Sequence, residues 1–258
     1  MSQRSGYEPG VPCWVDLSST DVGASVRFYG EVFGWGVEMI DDPRAGGYGQ
    51  FTYDGRKVAG VGPVSGEEGA PAWNTYIATR DAAATADRVK NSGGTVVVDP
   101  MRVFDEGTMA VFQGPDGAFV SVWEADRHHG AELVNEPVSF CWNELVTRDV
   151  AAAERFYQAV FGWTPHLQEL DGVGYTEWRV DGRGIAGMME MTPSYPAETP
   201  SHWMVYFAVA DLDATVGTAR RLGAHVLVDS TDAPPGRFGM FVDPQGAALS
   251  VIQLHEIE

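Results

Sequence analysis

The chain has 258 residues, with 36 acidic and 17 basic side chains and a formal net charge of −19. Apolar residues make up 44% and charged residues 21%, a balance that is typical of globular proteins and argues against disorder. So acidic a surface repels phosphate, and we therefore expect neither nucleic acid nor an anionic membrane surface as a partner. The chain has only two cysteines, too few for a disulfide scaffold. It shows neither an apolar run long enough to span a membrane nor an apolar N-terminal leader, and we therefore expect a cytoplasmic protein.

The predicted elements of the first half alternate strands with helices. A strand at Cys13–Leu17 precedes an amphipathic helix at Asp21–Phe33, which ends at Gly34. A hairpin with strands at 48–53 and 58–61 turns at Asp54-Gly55, and a fourth strand of this unit would fall near residues 60–63. The later elements are a strand, a helix and three strands: Trp73–Ala78, Asp81–Asn91, Thr95–Val98, Met109–Phe112 and Phe119–Trp123.

The second half repeats the first. The helix motif at 21–35, which ends in Phe-Gly-Trp, recurs at 149–163, and the turn at 54–60 recurs at 181–187. Small differences in spacing indicate a tandem duplication with short loop insertions. We therefore predict one module at 1–126, a linker at 127–137 and a second module at 138–258.

The repeated segments resemble the vicinal oxygen chelate superfamily, which includes glyoxalase I, extradiol dioxygenases and bleomycin resistance proteins. The resemblance rests on the helix motifs at 21–35 and 149–163 and on the turns at 114–117 and 243–246. The stretches at 74–77 and 142–145 also look like a group of two-module actinobacterial glyoxalase-like proteins. The resemblance implies an α+β fold, with tandem glyoxalase-like modules of paired βαβββ units whose curved mixed sheets enclose cavities.

The positions that hold metal ligands in such enzymes carry other residues here. Metal enzymes of the superfamily bind a divalent ion through His and Glu side chains on the cavity face of the sheet. The corresponding positions are Trp14, Asn74 and Ser121 in the first module, and Trp142, Met204 and Ser250 in the second. These are poor ligands compared with His and carboxylate. We therefore expect no metal and no other cofactor, which argues against ordinary glyoxalase I chemistry and iron-dependent dioxygenation.

Strand alternation predicts which side chains face the cavities. If Trp14 points inward, Asp16 does too, and Trp142 pairs with Glu144 in the same way. Further inward-facing candidates for ligand contact are Asn74, Met204, Ser121, Ser250, Phe119, Trp123, Tyr76, Tyr206 and His202. Because His128 and His129 fall in the linker, we expect them to be solvent-facing or structural. The glycine-rich segments at 46–49 and 172–175 are predicted to form mobile tips over the cavity mouths.

An aromatic wall with a few carboxylates suits a flat, partly apolar organic molecule. Desolvation there disfavours an ionised carboxylate, so Asp16 or Glu144 could act as acid or base, with Tyr76 or Tyr206 as proton donor or oxyanion partner. The first hypothesis is a metal-independent binding protein of the glyoxalase/bleomycin-resistance type for a small aromatic or polyketide-like molecule, as a monomer or weak homodimer. Two alternatives stay open: a metal-free lyase, isomerase or hydrolase, and a structural or interaction protein with filled cavities.

Overall fold

The computed structural model describes residues 3–66, 69–170 and 172–255. Within these residues each half of the chain forms an eight-stranded sheet with two helices. The first module contains β1 (Pro12–Ser19), α1 (Val22–Phe33), β2 (Gly36–Met39), β3 (Gly49–Tyr53), β4 (Arg56–Pro63), β5 (Ala72–Ala78), α2 (Ala82–Asn91), β6 (Thr95–Val103), β7 (Gly107–Gln113) and β8 (Phe119–Ala125). The second contains β9 (Phe140–Thr147), α3 (Val150–Phe161), β10 (Thr164–Leu170), β11 (Val173–Val180), β12 (Arg183–Glu190), β13 (His202–Ala208), α4 (Leu212–Arg221), β14 (His225–Ala233), β15 (Gly236–Val242) and β16 (Ala248–Leu254).

The two sheets have the same mixed topology. The strand order is β2-β3-β4-β1-β5-β8-β7-β6 in the first sheet and β10-β11-β12-β9-β13-β16-β15-β14 in the second. β1 is parallel to β4 and antiparallel to β5, and β5 is parallel to β8. One βαβββ unit therefore supplies each half of a sheet, and two units meet at the β1–β5 pair. This arrangement confirms the predicted α+β fold of two tandem modules, each built from paired βαβββ units.

The fourth strand of the first unit is β2, and the expectation of a separate strand near residues 60–63 was wrong. Those residues form the end of β4. β2 has 4 residues, and three of them are exposed at the sheet edge. Its two apolar residues, Val37 and Met39, are too few to establish a period of two, which is why the sequence does not reveal the strand.

Both copies of the repeated helix motif begin and end in the same way. The Asp21 carboxylate accepts a hydrogen bond of 2.8 Å from the backbone N–H three residues on, and Asp149 accepts the equivalent bond at 2.9 Å. Gly34 ends α1 with a φ of 72°, and Gly162 ends α3 with a φ of 71°, in the left-handed region. Among the described residues, no helix is long and apolar enough to cross a membrane.

The modules pack back to back, with α1 against α4, α2 against α3, and β5 against β13. Phe207 of the second module packs against Trp35 of the first, with ring centroids 5.4 Å apart. The indole Nε1 of Trp35 donates to the carbonyl of Val138 at 2.8 Å, and Trp163 repeats this bond to Gly10 at 2.7 Å. The repeated Phe-Gly-Trp motif therefore joins the two modules. The opposite face of each sheet points away from the other module.

The segment predicted as a linker is packed on the first sheet. The backbone N–H of Glu132 donates to the carbonyl of Lys57 at 2.8 Å, and the Lys57 N–H donates to Oε2 of Glu132 at 2.9 Å. His128, in the same segment, is buried with 7% of its surface exposed. The placement of the module boundaries at residues 126 and 138 stays a prediction.

Candidate functional site

The face of the first sheet that points away from the second module carries a cavity of about 530 Å³. β1, β5 and β8 contribute to its floor, while the turn at Pro43–Ala45 and the β6–β7 hairpin contribute to its walls. We call it the aromatic cavity. The residues that line it are Trp14, Asp16, Ile40, Arg44, Ala45, Tyr48, Gln50, Tyr76, Met101, Arg102, Val103, Phe104, Glu106, Met109, Trp123 and His128.

A buried carboxylate lies at the floor of the aromatic cavity. Oδ1 of Asp16 accepts a hydrogen bond from Nδ2 of Asn74 at 2.9 Å. Oδ2 accepts from the hydroxyl of Tyr76 at 2.9 Å and from that of Tyr48 at 3.3 Å. The indole N–H of Trp14 donates to the Tyr48 hydroxyl at 3.1 Å. The structure thus brings together Trp14, Asp16, Asn74 and Tyr76, as strand alternation predicts, and adds Tyr48.

The surroundings of Asp16 tune its ionisation. Burial raises the pKa of its carboxyl, while the hydrogen bonds from Asn74, Tyr76 and Tyr48 act in the opposite direction. Burial and the charge of the Asp16 carboxylate raise the pKa of both tyrosines, so these hydroxyls stay protonated and can donate. A carboxyl whose pKa is raised by burial in a cavity is a candidate acid or base.

Tyr48 reaches the cavity floor because glycines on β4 leave room for its ring. A Cβ atom on Gly60 would lie 2.0 Å from the Tyr48 hydroxyl oxygen, and one on Gly62 would lie 2.9 Å from its Cδ2. The sequence predicts Tyr48 at the start of a hairpin strand and in a mobile tip over the cavity mouth, but not at the cavity floor. The repeated glycine is the clue, because a Cβ on Gly187 would lie 2.0 Å from the hydroxyl of Tyr175.

His128 forms part of the cavity wall, a position that the sequence does not predict. Its ring centroid lies 4.4 Å from that of Trp14 and 5.6 Å from that of Trp123. Burial lowers the pKa of its imidazole to about 4, so the ring is neutral at pH 7. Because this histidine comes from the segment between the modules, no strand or helix periodicity assigns it to the cavity.

Two elements from opposite ends of the first sheet meet at the cavity mouth. The guanidinium of Arg44, in the turn at Pro43–Ala45, lies 4.9 Å from the ring centroid of Phe104, between β6 and β7. Asp42 forms an ion pair with Arg44 at 2.6 Å. In the second module Ala233 pairs with Gly236 as Val103 pairs with Gly107 in the first, and the shorter loop between them contains only Pro234 and Pro235. The second module therefore lacks this aromatic ring.

The second module repeats the pairing of a carboxylate with a tyrosine. Oε1 of Glu144 accepts a hydrogen bond from the Tyr206 hydroxyl at 3.0 Å, and Trp142 Nε1 donates to the Tyr175 hydroxyl at 3.0 Å. Burial raises the pKa of the Glu144 carboxyl, and the bonds from Tyr206 and Tyr175 oppose this shift.

The rest of that face is apolar in the second module. In the first module Nδ2 of Asn74 also donates to Oγ of Ser18 at 3.0 Å. The equivalent residues are Met204 and Val146, which are buried at 4% and 3% exposure. The cluster around them also contains Met189, Met191, Tyr195, Tyr206, Met240 and Ala248. In the second module, flexible methionine side chains therefore fill the sheet face whose equivalent in the first module is polar.

The other residues that were predicted to contact a ligand differ in how deeply they are buried. Ser121 and Ser250 are buried at equivalent positions on β8 and β16. Trp123 lines the aromatic cavity. Phe119 begins β8, is 54% exposed and lies outside the set that lines the aromatic cavity. His202 begins β13, and its Nδ1 lies 2.9 Å from the backbone carbonyl two residues earlier.

Each of the two repeated halves matches the profile of a known protein family. A family profile described as the Glyoxalase/Bleomycin resistance protein/Dioxygenase superfamily matches residues 13–122, and one described as a Glyoxalase-like domain matches residues 140–252. The chain belongs to this glyoxalase superfamily. A solved Mn(II)-bound glyoxalase from Novosphingobium aromaticivorans has the same fold, with a TM-score of 0.66 and 18% identity over 97% of this chain and 84% of that one.

Two similar proteins match along nearly their whole length. The anthracycline biosynthesis protein DnrV of Streptomyces peucetius is 41% identical, covering 97% of this chain and 95% of its own. The candidate glyoxylase CFP32 of Mycobacterium bovis is 42% identical, covering 98% of both chains. Both matches therefore span both modules of this chain.

The side chains on the cavity faces do not fit the divalent ion that metal enzymes of the superfamily hold. In the first module the expected ligand positions carry Trp14, Asn74 and Ser121, and the Asn74 amide donates to Asp16. Asp16 itself accepts three hydrogen bonds. Within residues 3–66, 69–170 and 172–255, no group of three or more His, Cys, Asp and Glu residues is arranged to hold a metal ion. The donor set therefore does not suit a hard or borderline cation.

Proposed function

We propose that the first module is a metal-independent binding site for a flat aromatic molecule, which occupies the aromatic cavity. The observation that carries this proposal is a cavity of about 530 Å³ in which aromatic rings surround one polar point at Asp16. Trp14, Tyr48 and Trp123 line the cavity with rings, of which Trp14 and Trp123 are nearly buried, while Ile40 and Met101 add more exposed apolar surface. Asp16 with Tyr76 offers hydrogen bonds that fix orientation.

The relatives support a polyketide-like ligand. DnrV is named for anthracycline biosynthesis, and anthracyclines are built on fused rings that carry hydroxyl and quinone oxygens. A fused-ring hydroxyquinone has the two features that the aromatic cavity can recognise, namely a flat apolar body and oxygens at its edge. We therefore extend the proposal for this chain to hydroxylated polycyclic aromatic molecules.

The second module supplies an internal control. It keeps Trp142 and Glu144 but replaces Asn74 and Ser18 with Met204 and Val146. We propose that the ligand prefers the first module because the methionine cluster fills space that stays polar and open near Asp16. One ligand per chain is the expected stoichiometry.

The test is a calorimetric titration of the full chain with 1,8-dihydroxyanthraquinone, with and without EDTA. Trp14→Phe should weaken binding about 3- to 10-fold, because it removes ring area and the indole N–H that fixes Tyr48. The matched variant Trp142→Phe should leave the affinity unchanged. Loss of binding in EDTA, or an equal effect of both variants, would contradict the proposal.

A second candidate function is proton-transfer catalysis on the same cavity, and the raised pKa of Asp16 favours it. In this case Asp16 takes or returns a proton, as in a metal-free lyase, isomerase or hydrolase, and Tyr76 stabilises the developing oxyanion. Asp16→Asn should lower turnover about 10²- to 10⁴-fold while binding changes little, and Glu144→Gln in the second module is the matched control. An unchanged rate in Asp16→Asn would exclude this role for Asp16.

A further inference from the structure

The segment between the modules fills a gap between two strands of the first sheet. β1 and β4 are paired with each other only along their second halves. Beside their first halves, the backbone N–H of Ala131 donates to the carbonyl of Cys13 at 2.8 Å, and that of Glu132 donates to the carbonyl of Lys57 at 2.8 Å. This segment therefore adds to both strands as a further piece of extended backbone.

The inserted segment fits its gap closely. A Cβ atom on Gly130, which has a φ of 106°, would lie 2.4 Å from the carbonyl oxygen of Cys13, so a larger residue would collide with β1. Oε2 of Glu132 accepts a hydrogen bond of 2.9 Å from the backbone N–H of Lys57. The sequence Gly-Ala-Glu thus matches the gap in shape and in hydrogen bonding.

The equivalent gap in the second sheet is open. β9 and β12 are also paired only along their second halves, and the first residues of both strands line a cavity of about 620 Å³. Cys141 and Gly184 hold the places of Cys13 and Lys57 and lie in its wall. Within residues 3–66, 69–170 and 172–255, no segment from outside the sheet hydrogen-bonds to either carbonyl. We call this cavity the strand gap.

Side chains at the strand gap are exposed where their counterparts in the first module are covered. Trp14 and Val58 have 3% and 0% of their surface exposed, whereas the equivalent Trp142 and Ile185 are only half-buried. In the first module the ring of His128 packs on Trp14, with centroids 4.4 Å apart. The second sheet therefore lacks, among the described residues, the cover that residues 128–132 give the first.

We propose that the strand gap binds an extended peptide, whose backbone adds to β9 and β12 as residues 130–132 add to β1 and β4. Addition of an extended segment to open strand edges is a known mode of peptide recognition, in which main-chain hydrogen bonds supply affinity. The proposal goes beyond the aromatic ligand of the first module and does not depend on it.

The first module also indicates the chemistry of the peptide. The segment that fills its gap has the order His-His-Gly-Ala-Glu at 128–132, with a ring that covers a tryptophan, two small residues and an acid. Trp142 offers the matching indole in the strand gap. Arg4 and Arg183 line the same cavity and favour the acid, while Glu8 is the one carboxylate among the described residues of its wall.

The experiment is a calorimetric titration of the full chain with the acetylated and amidated peptide His-His-Gly-Ala-Glu-Leu. A matched peptide with N-methyl groups on Ala and Glu cannot donate to the two carbonyls and should bind about 10- to 100-fold more weakly. Arg183→Gln should weaken the unmodified peptide about 2- to 5-fold, because the acid loses a nearby cation. Arg56→Gln, at the equivalent position of the first module, is the control and should leave the affinity unchanged.

Amide hydrogen exchange with and without the peptide locates the bound segment. We expect slower exchange at Gly184, whose N–H would donate to the acid of the peptide, and no change at Lys57. Slower exchange at Lys57 would mean that the peptide acts on the first module, which overturns the proposal. Equal binding of the N-methylated peptide, or no binding up to about 1 mM peptide, overturns it as well.

Discussion

The hydroxyl of Tyr29, on α1 of the first module, donates a hydrogen bond of 2.8 Å to Oδ2 of Asp243 in the second. Oδ1 of the same carboxylate accepts from the backbone N–H groups of Gln245 and Ala247, each at 2.9 Å. The Tyr29 hydroxyl also accepts from Nε1 of Trp73 at 3.0 Å. One buried carboxylate therefore closes the turn before β16 and joins the two modules.

Loss of this bond should destabilise the whole chain. We expect Tyr29→Phe to lower the free energy of unfolding by about 1–3 kcal/mol, because a buried carboxylate oxygen and the Trp73 indole N–H each lose a partner. Urea denaturation followed by circular dichroism measures the change. Tyr53→Phe, at a half-buried tyrosine on β3, is the control and should stay within about 0.5 kcal/mol of wild type. Equal effects of the two variants would show that the inter-module bond contributes nothing.

A methyl group on Gly60 should remove Tyr48 from the cavity floor. The added Cβ would lie 2.0 Å from the Tyr48 hydroxyl oxygen, so the ring must move and lose its bonds to Asp16 and Trp14. We expect Gly60→Ala to change the near-ultraviolet circular dichroism of the aromatic side chains and to lower stability by about 1–3 kcal/mol. Gly217→Ala on α4, where a Cβ meets nothing within 4 Å, is the control and should be neutral or stabilising. An unchanged aromatic spectrum in Gly60→Ala would contradict the role of Tyr48.

The contact between Arg44 and Phe104 should hold the cavity mouth together. An exposed cation–π contact contributes about 0.5–1 kcal/mol, so Phe104→Leu should speed amide hydrogen exchange in the turn at 43–45 about 2- to 5-fold. Global stability should change little, because both side chains lie near the surface. Phe104→Tyr keeps the aromatic face and serves as the control. Exchange rates that stay at the wild-type level in Phe104→Leu would exclude a role in ordering the turn.

The buried His128 should make stability depend on pH in a defined window. Its pKa of about 4 in the folded chain lies below the ordinary value of 6.5, so the unfolded chain binds more protons between these values. Acidification from pH 6.5 to 4 therefore lowers the free energy of unfolding, by at most about 1.4 kcal/mol per pH unit. The Lys57 and His129 charges contribute to the depressed pKa, while Asp16 and Glu144, with raised pKa values, act in the opposite direction.

The difference between wild type and His128→Phe isolates this dependence, because the carboxylates are common to both. We expect the variant to lose less stability than wild type on acidification from pH 6.5 to 4.5. The measurement is urea denaturation at several pH values, and His129→Phe should stay close to wild type, because burial is the largest cause of the depressed His128 pKa. Parallel pH profiles for wild type and His128→Phe would mean that His128 titrates normally in the folded chain.

The sequence was sufficient to predict the duplicated fold and the floor of the site, because these depend on local patterns. The aspartates at 21 and 149 and the glycines at 34 and 162 mark the same helix boundaries in both modules. Alternation along β1 places Trp14 beside Asp16 on the cavity face, and both line the aromatic cavity. A period of two residues suffices for that prediction.

The walls of the site could not be predicted in this way. Tyr48 and His128 reach the cavity from a loop and from the segment between the modules, and neither obeys the period of a strand or helix. Their positions depend on contacts that are distant along the chain, such as the bond between Tyr48 and Trp14 and the glycines that accommodate the ring. The short edge strand β2 was missed because its two apolar residues, Val37 and Met39, are too few to establish a period.

In a symmetric homodimer of single modules, every substitution would appear in both cavities at once. Covalent fusion removes that coupling here, while the bond between Tyr29 and Asp243 keeps the halves in one shared core. Asn74 and Met204 hold equivalent places on the two sheets, yet one is an amide and the other a thioether. Mutation can thus specialise the cavity of one module for a ligand while the other module evolves as a scaffold. For the same reason, the cavity-side residues of the two sheets can be engineered independently.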